Sequence, residues 1–408
     1  MDERRWRYAT YAVIGIWVVF AIRLMIADVW DETNGMLAFS SAAMTLGQKL
    51  EFVLAKSLGF WRPLPTLVVT LVLHFVTDFD VSWRILRFVN LALLVGALAV
   101  LMNTSKAVWT ERFIFAIAFL FSGSAVITAG WYANIFDASV LLLVAIGLSL
   151  LLLRGKDLAA GVVFGVAFFC KESAALVLPF LLVLLAARRI TFKQALRAGI
   201  PAAILGAVYF FIRSKIVPFG GEGDIHGFAP QYLMPTFVNL AESFWEQTLK
   251  SRGFLGFFWL ALSLAALKKP RLIAATLLFF SATAVIYWGM FNEYQNGVLV
   301  HHLDFIGRLY LVPVTLVLFL LAIERRTLAM ALLLLPIVFG GMVTWRDHAR
   351  FQRMYKRIYS TAMRGSVTPL TVHFPPKPLE DTVRGVKIGD IPDASVTINA
   401  ETGRLSYR

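Results

Sequence analysis

The sequence predicts an all-α polytopic membrane protein with about 11 transmembrane helices, a surface helix in the first outer loop and a small C-terminal appendage. Composition is the first reason. Of 408 residues, 59% are hydrophobic and 16% charged, whereas a soluble domain carries roughly 45–50% apolar and about 25% charged residues. The second is clustering. The apolar surplus falls in blocks such as 133–153 and 272–290, each near the roughly 20 residues that cross a bilayer. The third is charge. The net +14 gathers in short turns between the blocks, which points to basic cytoplasmic loops facing anionic lipid and not to nucleic acid. Residues 1–345 are expected to form the membrane domain and 346–408 the appendage.

Taken in order, spans are expected near 8–27, 84–103, 112–129, 134–153, 158–170, 174–187, 195–213, 254–267, 271–290, 305–323 and 328–344. The first begins at Tyr8 and lacks a small-residue cleavage pattern, so it reads as an uncleaved span. Residues 64–77 are apolar but only about 14 long, open on two prolines and end in a polar turn. If they lie along the surface, Lys106/Arg112, Arg154/Lys156, Arg188/Arg189/Lys193, Lys268/Lys269/Arg271 and Arg325/Arg326 all fall on the side of the N-terminal arginines. If they span, all of those turns land outside, against the positive-inside rule. Eleven spans, with the N-terminus inside and the C-terminus outside, fit better. The basic stretch from Arg346 to Arg357 disagrees with that count and has the spacing of an amphipathic surface helix. Beyond Thr368, prolines and alternating runs such as VTINA suggest a small β-rich or extended tail. Residues 214–253, rich in Gly and Pro, read as a flap over the outer face.

Charged residues at the outer ends of these spans are the candidates for chemistry. The first outer loop holds an acidic cluster, Asp28, Asp31 and Glu32, beside Trp30, with Trp61 and Arg62 at its far end. A carboxylate shielded by helices can serve as a general base toward an incoming hydroxyl; a solvated loop with an N-cap at Asp31 is the alternative. Lys171 and Glu172 stand between two spans of only about 13–14 residues, so their turn is expected below the outer membrane plane. Ionisable groups at such depth usually mark a cavity or pathway, although a snorkelling hairpin turn also accounts for them. Arg308 lies four residues after Asp304 and is either half of a helix-end ion pair or a fork for phosphate oxygens. His301 and His302 are adjacent and point apart on most backbones, which argues against a two-ligand metal site. Asn134 and Asp137 are weaker candidates that helix capping explains equally well. The single cysteine, Cys170, sits in an apolar run and reads as an inert buried thiol. The sequence carries no GxxxxGK loop and no Rossmann fingerprint.

Five motifs in order then form a pattern: a first-loop Asp–Glu pair, WRPLPTLV, R-x-x-N at Arg87–Asn90, KESAALVLP and GRLYLVP. In this order and on one membrane face they resemble the GT-C superfamily of integral membrane glycosyltransferases. The nearest shapes are those of protein O-mannosyltransferases and lipid A aminoarabinose transferases. The resemblance covers about residues 1–345, through short and degenerate motifs. It implies that Asp31, with Glu32 second, is the catalytic base, and that the RPLP segment forms a surface helix. It further implies that Lys171, Glu172 and Arg308 lie at the donor phosphate. Two features depart from the family: the outer flap is short, and no large periplasmic domain follows the last span.

The expected function is therefore an inverting transfer of a hexosyl or pentosyl group from a polyprenyl-phosphate donor to a glycan, lipid or protein acceptor. The expected location is a bacterial inner membrane with the active site on the periplasmic face. Asp28, Arg62, His301 and His302 are expected to line the substrate. A divalent metal is allowed by this reading and required by nothing in it. The alternative is a transporter or flippase for a lipid-linked or amphipathic solute, with the same charges along a pathway; inverted repeats would favour it, and no matching halves are seen.

Overall fold

The computed structural model describes residues 3–24, 45–55, 61–76, 79–130, 135–216, 268–288, 292–295, 298–301, 311–334, 337–338, 342, 370–374, 394–398 and 405–407. Helices dominate them. In chain order they are α1 (Glu3–Leu24), α2 (Leu46–Ala55), α3 (Pro63–Phe75), α4 (Phe79–Ser105), α5 (Trp109–Leu120), α6 (Gly123–Gly130), α7 (Ile135–Arg154) and α8 (Asp157–Ala167). After a 3-10 turn at Glu172–Leu176 come α9 (Val177–Ala186), α10 (Phe192–Ile216), α11 (Pro270–Trp288) and α12 (Leu311–Ile323). Among the described residues three segments are long and apolar enough to cross a bilayer: Arg84–Ser105 in α4, α7 and α10. Shorter apolar helices include α3, α8, α11 and α12. Helices overlap many of the expected spans, but the expected span 112–129 is divided between α5 and α6, and the three long apolar segments do not establish a count of eleven. The expected span 254–267 lies outside the described residues, and so does the expected flap 214–253 except for 214–216, which end α10.

Small antiparallel sheets complete the description. Strands β1 (Asn292–Gln295) and β2 (Val298–His301) pair with Asn292 opposite His301. Strands β3 (Leu370–Phe374), β4 (Ala394–Ile398) and β5 (Leu405–Tyr407) form one sheet in that order. Strand formation in the tail agrees with its alternating pattern. The β1–β2 hairpin was not expected from the sequence.

Burial sorts the helices. Every residue of α12 is buried, so this helix runs through the centre of the bundle. By contrast α10 exposes Ile200, Ile204 and Phe211, and α1 exposes Tyr8, Ile16 and Val19, as lipid-facing helices do. Helices α8 and α10 touch almost backbone to backbone. A Cβ added at Gly161 would stand 2.4 Å from the Ala198 carbonyl oxygen, and one at Gly165 would stand 2.5 Å from Leu205 Cβ. Between helices, where lipid offers no hydrophobic drive, small residues four apart permit this close van der Waals contact. The contact sets where α8 delivers the turn that follows it.

The two ends of the bundle differ. At one end, Gln194 donates to Asp157, Arg189 and Lys269 both donate to Glu324, and Thr327 donates to Glu111. The base of α1 joins them through Trp6 on Phe113 and Tyr11 on Trp109. The five basic turns expected on one side thus meet at one end. Lys106, Arg188, Lys268 and Arg325 each adopt positive φ there, as does Gly155, which turns the chain sharply beside a helix end. From Arg154 at this end, α7 runs about 26 Å to Asp137 at the other.

Candidate functional site

At the far end, five charged side chains from four elements form one buried network. Its centre is the turn after α8. The last turn of α8 tightens into three-residue hydrogen bonds from Phe168, Phe169 and Cys170 to Gly165, Val166 and Ala167. Lys171 then extends, with φ −171° and ψ 152°, before the 3-10 turn begins at Glu172. Extended backbone sends successive side chains to opposite sides, so the adjacent Lys171 and Glu172 reach different partners.

Lys171 turns toward α7. Its Nζ donates to both carboxylate oxygens of Asp137, at 2.7 and 2.6 Å, and both side chains are buried. Glu172 turns the other way. Arg62, at the start of α3, donates to Glu172 Oε2 through Nη2 at 2.9 Å and Nε at 3.2 Å. Arg213, on the last turn of α10, places Nε 3.4 Å from Glu172 Oε1. The Tyr209 hydroxyl lies 2.9 Å from Glu172 Oε1 and 2.8 Å from the Trp61 carbonyl oxygen, so one proton serves two acceptors. The Trp61 and Tyr209 rings stack at 5.5 Å. The Leu64 N–H donates to the Phe169 carbonyl, tacking the start of α3 onto the same turn. The Arg62 guanidinium lies 5.4 Å from the ring of Phe136, the neighbour of Asp137, which joins the two ion pairs into one cluster.

Among the described residues three cations and two carboxylates meet here, in a setting where solvent screens little. Removing one partner from such a pair strands a buried charge, so the side chains hold one another in place. The Ser173 hydroxyl is buried beside them and has no hydrogen-bond partner among the described residues. Arg87 and Asn90, the R-x-x-N pair, are fully buried on α4, and the Asn90 amide donates to the Thr128 carbonyl.

The sequence candidates divide accordingly. Lys171, Glu172 and Arg62 come together, and Asp137, the weaker candidate, joins them as the Lys171 partner. Cys170 is buried. His301 closes strand β2. Asp28, Asp31, Glu32, His302 and Arg308 lie outside the described residues. Among the described residues no three His, Cys, Asp or Glu side chains group to hold a metal ion. Sequence reasoning missed Tyr209 and Arg213. The signal was an arginine inside the apolar run VYFFIRSK, four residues after a tyrosine and hence on its helix face. Compared with protein-family models, curated proteins and solved structures, the chain matches none.

Proposed function

We propose that the chain is an inverting membrane glycosyltransferase of GT-C type that draws on a polyprenyl-phosphate-linked sugar. The observation that carries this reading is the buried ion-pair network of Arg62, Arg213 and Lys171 with Glu172 and Asp137, at the end of the bundle away from the basic turns. Cations fixed by buried carboxylates are preorganised, and such groups stabilise charge that develops in a transition state without reorganising.

In the proposed reaction an acceptor hydroxyl attacks the anomeric carbon and its proton passes to Asp31, with Glu32 as the second candidate base. The bond from the anomeric carbon to the phosphate oxygen breaks, and the lipid phosphate leaves with the electron pair. Arg308 and Lys171, with Arg62 and Arg213, supply the positive field that receives it. Glu172 repels phosphate and serves this reading by holding Arg62 and Arg213 in place. The Ser173 hydroxyl is a further donor on the same turn. With the basic turns on the cytoplasmic side, the site opens to the periplasmic side of a bacterial inner membrane, and α3 lies along its surface.

The test is sugar transfer by the full chain in proteoliposomes from a labelled polyprenyl-phosphate sugar. Arg213→Gln is expected to lower kcat by about 10²–10³, the usual effect of removing one electrostatic stabiliser, and Asp31→Asn to abolish transfer. Transfer at the wild-type rate in Asp31→Asn overturns the mechanism. Movement of the intact lipid-linked solute across the bilayer without sugar transfer replaces the enzyme reading with a transporter.

A further inference from the structure

A second site lies at the opposite end of the molecule. Near the start of α10, a groove of about 360 Å³ opens on the bundle's outer face between α8 and α10. Leu158, Phe192, Leu196 and Ile200 form its apolar walls, and Lys193 and Arg197 stand at the same place. Residues 193, 196, 197 and 200 are three, four and seven apart and share one helix face. The walls are unusually open for their type: Leu158 is 62% exposed and Phe192 65%.

Neither cation has a hydrogen bond or ion pair with any described residue. Both sit in the opening turns of a helix whose first turn has no acidic residue. A helix N-terminus favours negative charge, so these cations gain nothing from the helix end. Thr191 and Gln194 cap the backbone end of the helix reciprocally: Gln194 Oε1 accepts from the Thr191 N–H, and the Gln194 N–H donates to Thr191 Oγ1. An anion arriving here would therefore meet the two side chains. Asp157, the nearby carboxylate, accepts a hydrogen bond from Gln194.

We propose that this groove binds an anionic glycerophospholipid, with the headgroup phosphate on Lys193 and Arg197 and an acyl chain along Leu196 and Ile200. Charge and length both fit that occupant. The cations stand at the basic end of the bundle, where the headgroup layer meets α10 if the basic turns face the cytoplasm, as the proposed function has it. Lys193 to Ile200 covers about 10 Å of helix, within the roughly 15 Å depth of one hydrocarbon leaflet. Beyond Ile200 the exposed stripe continues through Ile204, Val208 and Phe211, so the tail keeps an apolar partner along its length. A bare phosphate would leave these walls unused.

The experiment is native mass spectrometry of the full chain, released from mixed vesicles of phosphatidylglycerol and phosphatidylcholine. The wild-type chain should retain phosphatidylglycerol in preference to phosphatidylcholine. Each cation near an anionic lipid surface is worth about fivefold, so K193Q/R197Q should lower that preference about 25-fold. Ile200→Trp fills the groove while leaving both charges, and should also lower retention. K106Q, which removes an exposed cation from another basic turn, should leave retention unchanged. Equal retention of the two lipids by the wild type, or unchanged retention in K193Q/R197Q, overturns the proposal. So does loss in K193Q/R197Q without loss in Ile200→Trp, which identifies headgroup attraction without an acyl-chain groove, and so does an equal loss in K106Q, which identifies diffuse attraction by the whole basic end.

Discussion

Two carboxylates at opposite ends of the bundle each hold two cations, and the difference lies in what surrounds the cations. Glu172 holds Arg62 and Arg213, whose side chains are 17% and 4% exposed. Glu324 holds Arg189 and Lys269, which are 42% and 55% exposed. Both carboxylates are buried, and both draw partners from distant parts of the chain. At the Glu324 end each cation can exchange the carboxylate for water, so the clamp ties three turns together with little consequence for orientation. At the Glu172 end water has far less access, and the guanidinium groups are held where the surrounding elements put them. One arrangement of charges thus acts as a fastener in water and as a fixed electric field in the apolar interior.

The largest effect is expected where water is most excluded. Lys171→Met leaves Asp137 charged and buried without its partner, which should cost about 3–5 kcal/mol of stability. The double variant Lys171→Met/Asp137→Leu removes both charges and should recover most of that loss. Chemical unfolding of the three proteins in one detergent measures both numbers. A single-variant loss under about 1 kcal/mol would mean that water reaches the pair, and the contrast between the two ends would vanish. Next comes Tyr209→Phe, which removes one hydrogen bond to a charged group and should cost about 1.5–3 kcal/mol. It should also loosen Trp61, whose carbonyl shares that hydroxyl, and tryptophan fluorescence at the start of α3 reports it.

These residues also mark how far the sequence could be read. Lys171 and Glu172 were legible because two half-length apolar runs flank them, and a turn between short helices has to lie deep. The basic end was legible from its turns alone, since positive charge between apolar blocks has a known side. Asp137 was visible only as a helix-start carboxylate, because nothing local tells a cap from an ion-pair partner 34 residues away. Tyr209 and Arg213 were hidden for a related reason. Their partner, Glu172, is close only because α8 and α10 meet at Gly161, Gly165 and Ala198, and single-sequence periodicity does not report which helices pack. The proposed base Asp31 and the late Arg308 remain sequence expectations, outside the described residues.

That packing offers the third way to sharpen the comparison. Gly161→Val puts side-chain atoms where the Ala198 carbonyl oxygen already stands, 2.4 Å from the added Cβ. A backbone atom cannot step aside as a flexible side chain can, so α8 and α10 must separate, at about 1–3 kcal/mol. Separation there should weaken the Tyr209–Glu172 contact while sparing the Glu324 clamp. Gly15→Ala is the control. A Cβ at Gly15 on α1 meets nothing within 4 Å, so this change should be neutral, or stabilising by up to about 1 kcal/mol through helix propensity. Equal losses in the two variants would show that helix contact at Gly161 does not position the site.

Glu324→Gln should give the smallest effect, and its dependence on pH and salt is the informative part. Burial by itself raises the Glu324 carboxyl, but hydrogen bonds from Lys269 and Arg189 outweigh it and hold the group below its ordinary value of 4.5. A carboxyl lowered on folding contributes stability that is fully present above that ordinary value and is lost as pH falls through the lowered one. Wild-type unfolding free energy should therefore rise with pH across the acidic range, and Glu324→Gln should flatten part of that slope. At neutral pH the variant should lose only about 0–1 kcal/mol, since both partners are about half exposed. Raising salt toward 1 M, where charges are screened within about 3 Å, should shrink the loss further, while the cost of Lys171→Met stays nearly constant. A Glu324→Gln loss that matches Lys171→Met and ignores salt would place both carboxylates in the same dry interior, and the fastener would have to be treated as a second fixed field.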